Sequence, residues 1–348
     1  MKMSSENRKT TFRAYISLLK RKFRRIKITL TLILPDLSHR DSIPKFPEDQ
    51  QILPFEKYPN NPIISTTNLL AENIVYDKAT QKYWMVISDF NDHSIGLAYS
   101  PDLVNWRLYE NNPVLAKSGD GWDDLAVSAP HLLYDNAQAS YYLYYAGQNA
   151  ASRVVAIGLA QATQVTGPYQ KYKGNPILWP KVGWESMGIH EPYVMHDSKQ
   201  ERYIMFYMGN STAWVEPTEQ IGYAIALSPE GPWERFPGNP VLRFDSTPYD
   251  SGTIADPAIY YQGDTWYIFY SCSSTKHLPW RIAYATSTDL ISFVKRGIGL
   301  DLGPIGSWDH RNAHRGAVQR FGDYLYLSYT GWPYRLGMAK MPASELGL

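Results

Sequence analysis

The chain has 348 residues, of which 44% are hydrophobic and 14% are aromatic, with 27 Tyr and 11 Trp. Residues 1–27 hold ten Lys and Arg, which leaves 24 basic and 32 acidic residues in the rest of the chain. An acidic body is a poor binder of phosphate backbones, so we expect no nucleic-acid partner.

Residues 1–50 are predicted to form a basic N-terminal extension, partly helical or disordered, with one basic helix across Thr11–Lys27. The apolar stretch Ile28–Leu34 ends at Pro35 and is too short to span a membrane; it is also a weak signal-peptide core. The single cysteine, Cys272, excludes an intrachain disulfide and fits a reducing compartment. We therefore expect a cytoplasmic protein without a transmembrane segment.

From residue 51 onward the chain repeats a unit of short, aromatic-rich strands. Five such runs start 58, 61, 63 and 58 residues apart, and each lies between two other short apolar runs. In four of the five units a fourth segment follows. Four short strands per ~60 residues are typical of a propeller blade. The five runs are Tyr83–Phe90, Tyr141–Gly147, Arg202–Gly209, Thr265–Cys272 and Asp323–Gly331.

Two further markers keep register with these runs. A Trp or Tyr followed by an acid precedes units two to five, and Asn-Pro followed by Ile or Val marks the unit ends. The pattern predicts an all-β, five-bladed β-propeller over residues 51–348, with an irregular β-sandwich as the alternative. The approximate blades are 71–118, 122–178, 184–242, 249–300 and 308–342.

The ends of the repeat also predict how the ring closes. Unit five has no room for a fourth strand before Leu348, whereas Asn61-Pro62-Ile63 stands ahead of unit one. We expect residues 55–65 to supply the outer strand of the last blade and to pair with Arg335–Met341. Closure of this kind removes exposed sheet edges.

The first strand of each blade lines the channel of a propeller, so equivalent positions on these strands meet at the axis. Three carboxylates and one guanidinium fall in one such column, and a histidine, His190 or His314, precedes two of the five positions. Like charges at close range push pKa values apart, which separates an acid from a base. The alternative is that Glu191 and Asp256 only cap turns or pair with Arg315. The column is Glu72, Ala129, Glu191, Asp256 and Arg315.

Several of these segments resemble glycoside hydrolase family 43. Ser128-Ala129-Pro130 through Tyr141–Tyr145 resembles its second blade, and the acid-Pro pairs at Glu191 and Asp256 resemble the starts of its inner strands. Ala313–Val318 is similar to its last blade, where an axial histidine often supports a metal or water site. The Asn-Pro turns and Ile221–Ala224 also resemble family 130, the mannoside phosphorylases and hydrolases.

This sequence departs from family 43 at two positions. The family usually has Asp where this chain has Glu72. Its blade-four acid is usually a Glu two places before Pro, where this chain has Ala255. Asp256 stands one place later, a position that on a regular strand faces the other way.

The resemblance implies a glycoside hydrolase, which we expect to act by inversion on an oligosaccharide or glycoside. Glu72 would be the base, and Glu191 or Asp256 the acid; Arg315, His190 and His314 would hold the sugar. Trp122, Trp184 and Asp123 are candidate substrate contacts, with blade packing as the alternative. We expect no required cofactor, with calcium or a structural water at the axis as the other option.

Glu191 is the preferred acid because it lies in the aromatic stretch Trp184–Tyr193, where desolvation favours the neutral carboxyl. We therefore expect Glu191→Gln to abolish turnover.

Two other functions remain open at this stage. A phosphate-dependent phosphorylase needs one carboxylate and a phosphate site, and a glycan-binding propeller needs no acid geometry at all. The candidate phosphate ligands are Lys276, His277, Arg281, Arg311, His314 and Arg315.

Overall fold

The computed structural model describes residues 51–211, 219–245, 247–274 and 279–346. The chain divides into two units, Met1–Lys45 and Phe46–Leu348, and the predicted extension over residues 1–50 lies outside the described residues. The second unit contains five groups of antiparallel strands, of which the second and third are joined in one sheet by a parallel bridge between Gly188 and Val155. Each innermost strand contacts the innermost strands of both neighbouring groups. The sheets therefore form a closed ring of five blades, and the predicted all-β propeller is confirmed.

Each blade has four strands, which we call inner, second, third and outer. The inner strands are Leu69–Asp77, Ala126–Asp135, Gly188–Asp197, Thr253–Gln262 and His314–Phe321. The second strands are Lys82–Asp89, Ser140–Gln148, Arg202–Asn210, Thr265–Ser273 and Tyr324–Gly331. The third strands are Ser94–Ser100, Val155–Ala162, Gln220–Ala226, Arg281–Ser287 and Arg335–Pro342. The outer strands are Arg107–Leu108, Gln170–Lys171, Glu234–Arg235, Val294–Leu300 and, for blade five, Glu56–Lys57. Among the described residues the one helix is the short 3-10 turn Ala343–Leu346.

The aromatic second strands form the core between blades. In Ser140–Gln148 the side chains of Tyr142 and Tyr144 are fully buried against blade three, where Met205 and Tyr207 meet them. Strands buried on both faces read as continuous apolar runs, which is why these runs were visible in the sequence.

The closure of the ring follows the prediction. Glu56–Lys57 pairs antiparallel with the third strand of blade five, and Ile64 forms a further bridge to Leu336. The Asn61 side chain completes this edge, because its amide donates to the Met338 carbonyl at 2.8 Å and its oxygen accepts from the Met338 N–H at 3.0 Å. Asn112 bonds to Leu97 in the same way, which explains the repeated Asn-Pro marker.

One strand was not expected from the sequence. Gln51–Ile52 pairs parallel with the outer strand of blade four. This short addition covers the edge of that blade, which would otherwise present unpaired backbone groups.

Candidate active site

The predicted column does converge at the axis. Arg315 Nη1 donates to Glu72 Oε1 at 2.9 Å and to Glu191 Oε2 at 2.7 Å, and Nη2 donates to Glu191 Oε1 at 2.6 Å. Asp256 Oδ1 lies 3.9 Å from Arg315 Nη2. Four blades thus contribute one charged side chain each to a single cluster, while Ala129 supplies a methyl group from the fifth.

A bulge at the same place in every inner strand explains this convergence. The register of each inner strand with its second strand shifts across the column, as between His190 and Tyr193. Three charged column residues take positive φ values, 52° at Glu191, 52° at Asp256 and 55° at Arg315. A bulge breaks the strict alternation of a strand and re-aims the side chain. The bulge therefore holds the Asp256 side chain near Arg315. On a regular strand, a residue one place after the usual family position would point to the opposite face of the sheet.

Hydroxyl groups from the preceding blades hold the bulges. The Arg315 N–H donates to Ser271 Oγ at 2.8 Å, and the Ala129 N–H donates to Ser88 Oγ at 2.8 Å. These bonds satisfy backbone groups that the bulge removes from the ladder. Arg315 and Ala129 are consequently each fixed by two blades.

Burial dominates the electrostatics of the cluster. Burial raises the pKa of Glu72 well above its usual value, although Arg315 opposes the shift. Burial also raises the pKa of Glu191 to about 7, against the lowering effect of Arg315 and with a further rise from Asp256. A single guanidinium cannot balance several buried carboxylates, so part of the cluster binds protons near neutral pH.

The two histidines of the site are neutral. Burial lowers the pKa of both His190 and His314 to about 4. His314 Nδ1 bonds to the Thr330 carbonyl at 3.1 Å, which fixes its ring and leaves Nε2 as an acceptor. Both rings are next to the column in sequence and can contribute hydrogen bonds without adding charge.

Sequence reasoning missed a fourth carboxyl group, Glu219. It lies directly before the third strand of blade three and accepts a hydrogen bond from Thr253 Oγ1 at 2.8 Å. Burial raises the pKa of Glu219 to about 7, with the charge of Asp256 adding to the rise and Arg315 opposing it. The available signal was its place in the repeat, since among the five units only unit three has an acid directly before the third strand.

Trp122, Asp123 and Trp184 lie in the blades and outside the cluster. A Cβ atom added to Gly147 would lie 2.3 Å from the Trp122 ring, and one added to Gly209 would lie 2.3 Å from the Trp184 ring, so both indoles cover the strands of their own blades. Asp123 is buried and accepts from Tyr145 Oη at 3.1 Å and from Lys171 Nζ at 2.6 Å. For these three residues the geometry favours the alternative of blade packing.

The channel along the propeller axis is nearly filled on the side of the cluster towards which the inner strands run. A gap of about 20 Å³ remains there, lined by residues that include Glu72, His131, Glu191 and Arg315. This volume suits one water molecule and no sugar. We therefore expect a substrate to reach the carboxylates from the face on which the inner strands begin, because the gap separates them from the cavity of about 830 Å³ at the other end of these strands.

Within the described ranges, no group of three or more His, Cys, Asp or Glu residues is arranged to hold a metal ion. No helix in that part of the chain is long and apolar enough to cross a membrane.

The fold and the axial carboxylates define a carbohydrate-active propeller. Residues 59–295 match the family model described as glycosyl hydrolases family 43, so the chain belongs to this family and is a glycoside hydrolase. A glycoside hydrolase acts on an oligosaccharide or glycoside substrate. None of the curated proteins matches the chain.

Solved structures share the fold. A thermostable family-43 glycoside hydrolase is 17% identical with a TM-score of 0.61, over 80% of this chain and 90% of that one. An endo-arabinase from Bacteroides thetaiotaomicron is 17% identical with a TM-score of 0.59, over 81% and 95%. The β-1,2-mannobiose phosphorylase from Listeria innocua is 13% identical with a TM-score of 0.63, over 84% and 98%.

Proposed function

We propose that this chain hydrolyses a glycosidic bond with inversion at the axial cluster. The observation that carries the proposal is the Arg315 guanidinium, which holds Glu72 and Glu191 with Asp256 alongside. Nothing in the packing of the blades requires four charged side chains at this place. Such a cluster supplies both a proton donor and a proton acceptor at neutral pH.

The spacing of the carboxyl groups guides the assignment of roles. Glu72 Oε1 and Glu191 Oε2 accept from the same nitrogen, Arg315 Nη1. Two oxygens that share one donor are closer than the roughly 6.5–9.5 Å that an inverting pair needs for its water. Glu72 and Glu191 are therefore not the catalytic pair in this proposal, and Glu191 becomes the residue that positions Arg315.

The remaining carboxyl groups lie on the side of blades three and four. Glu219 bonds to Thr253 of the inner strand of blade four, and the charge of Asp256 adds to the rise in the pKa of Glu219. We assign the proton donor to this side of the cluster, to Glu219 with Asp256 beside it, because the pKa of Glu219 is raised to about 7. Glu72, from blade one, accepts the proton of the attacking water; burial raises the pKa of Glu72, and its bond to Arg315 opposes that rise.

Phosphorolysis is less well supported by the charges. Arg315 is occupied by two carboxylates, and Arg281 is bonded to Asp301 at 2.6 Å. Lys276 and His277 lie outside the described residues. A phosphate dianion would have to enter a site with excess negative charge, which is costly at short range.

The test is turnover of nitrophenyl α-L-arabinofuranoside, β-D-xyloside and β-D-mannoside, with and without inorganic phosphate. The anomeric form of the first product, followed by proton NMR, should be opposite to that of the substrate. A product that keeps its configuration would reject inversion. Turnover that requires phosphate and releases a sugar phosphate would replace hydrolysis with phosphorolysis.

Two variants test the roles. Asp256→Asn or Glu219→Gln should slow a natural glycoside by about 10²–10⁴-fold and an activated nitrophenyl glycoside much less, because only the former needs a proton on its leaving group. Glu72→Gln should slow both substrates equally. A leaving-group effect at Glu72 would reverse the assignment.

A further inference from the structure

A second ring of residues stands above the axial cluster. The position directly before each third strand lies on the face where the inner strands begin, and Glu219 is its member in blade three. The other four positions have no carboxyl group, and three of them are aromatic rings or imidazoles. The ring consists of His93, Val154, Glu219, Trp280 and Tyr334.

The aromatic members continue outward from the axis. His314 of the active site lies 6.2 Å from Trp280 and 6.2 Å from Tyr334, measured between ring centroids. Tyr334 in turn lies 5.6 Å from Trp332 and 6.3 Å from Phe90. We call Trp280, Tyr334, Trp332 and Phe90 the aromatic track.

The outer end of the track is exposed yet held by the backbone. Trp332 is 43% exposed and Phe90 is 36% exposed, although both are large apolar side chains. The Phe90 N–H donates to the Asn68 carbonyl at 2.9 Å, and the Leu69 N–H donates to the Tyr334 carbonyl at 3.0 Å. Exposed aromatic rings that are already held in place lose little conformational entropy when a ligand binds, so they favour ligand binding next to the active site.

A sugar ring has one face of C–H groups and an edge of hydroxyl groups. The C–H face can cover an aromatic ring and exclude water from it, while the hydroxyl edge stays solvated. We propose that the aromatic track binds the sugar unit or units next to the one held at the axis, so that the substrate is an oligosaccharide that runs from His314 towards the junction of blades five and one. This inference rests on the proposed hydrolysis at the axial cluster.

The test compares substrate lengths in Trp332→Ala, Phe90→Ala and the wild-type protein. Each protein is given the nitrophenyl monosaccharide that is turned over fastest and linear oligosaccharides of the same sugar with two to five units. The track variants should lose about tenfold in kcat/KM on the longer substrates, a loss of the size that aromatic contacts provide, and little on the monosaccharide. The matched control is Trp179→Ala, since Trp179 is 52% exposed and lies away from the track.

The outcomes separate the two proposals. Equal losses on short and long substrates, or unchanged kinetics on all of them, would overturn the track. If no nitrophenyl glycoside is turned over, the proposed hydrolysis fails, and calorimetric binding of arabino-, xylo- and manno-oligosaccharides to the same variants then decides on the track. Binding that Trp332→Ala leaves unchanged, or no binding at all, would reject it.

Discussion

Arg315 balances charge that the fold would otherwise bury without compensation. Replacing it with Met leaves the carboxylates of Glu72 and Glu191 unpaired, and breaking such a buried pair costs about 3–5 kcal/mol. Protonation relieves the penalty, so Arg315→Met should be much less stable than wild type at pH 8 and nearer to it at pH 5. Chemical denaturation at both pH values measures the difference.

The control for Arg315 is Lys199→Met, which breaks the exposed pair of Lys199 with Asp264. Exposed pairs contribute little, so this variant should match the wild type at both pH values. If Arg315→Met lowers the free energy of unfolding by the same amount at pH 5 and pH 8, the charge-balance account is wrong.

Glu219 gives a second prediction with a definite sign. Its pKa is raised to about 7 in the folded protein, from a usual 4.5, so the folded state binds the proton more tightly than the unfolded state. Stability from this group is fully present below the usual pKa and is lost as pH rises through about 7. Glu219→Gln should therefore melt a few degrees above the wild type at pH 8 and at the same temperature near pH 4. Equal melting temperatures at pH 8 would show that Glu219 is solvated.

At the scale of elements, the acid of each marker before units two to five links the start of its blade to the outer strand of the same blade. Asp309 accepts from Tyr329 Oη at 3.0 Å and from Lys57 Nζ at 2.7 Å, which repeats the contacts of Asp123. Asp123→Ala would leave the partly buried Lys171 without its carboxylate and the buried Tyr145 hydroxyl without its acceptor, so we expect a loss of about 1–3 kcal/mol in the free energy of unfolding. kcat on the nitrophenyl substrate should stay within about twofold, since Asp123 is remote from the cluster.

The matched control for Asp123→Ala is Asp264→Ala, which removes a carboxylate that is 82% exposed and should leave the free energy of unfolding unchanged. A large fall in kcat with intact stability in Asp123→Ala would restore Asp123 as a substrate contact.

The elements also show what a sequence can and cannot predict. The axial column was predictable because Pro and the aromatic runs fix its register, and the ring closure followed from one displaced Asn-Pro turn. The direction of the Asp256 side chain could not be predicted, because the alternation of side chains holds for regular strands and the bulge interrupts it. Glu219 escaped notice because it reaches the cluster from a loop, and loop positions have no period to count. From the sequence, Trp122 and Trp184 could equally stack on a sugar; only the structure shows that each indole packs over a glycine of its own blade, Gly147 or Gly209.

For the whole molecule, stability depends on the closing strand. Removal of residues 1–45 should leave the cooperative unfolding of the propeller intact, since Phe46–Leu348 is a compact unit by itself. Removal of residues 1–65 takes away Glu56–Lys57 and Asn61, and so opens blade five to solvent and to other chains. We expect aggregation or a broad, low-temperature transition in scanning calorimetry for the longer deletion. Sharp unfolding of both deletions would show that closure is dispensable.

The bulges separate what the propeller needs from what its chemistry needs. Every blade offers one side chain to the centre from a bulge in its inner strand, so that residue can change while the hydrophobic interior stays as it is. A scaffold with fivefold repetition can in this way recognise a molecule that has no such symmetry, because the asymmetry resides in five single positions. Ala129 is the one among them without a functional group, and its φ of 50° is a conformation that Asn and Asp tolerate well. New specificities can thus arise by point substitution at the centre, with the rest of the architecture inherited unchanged.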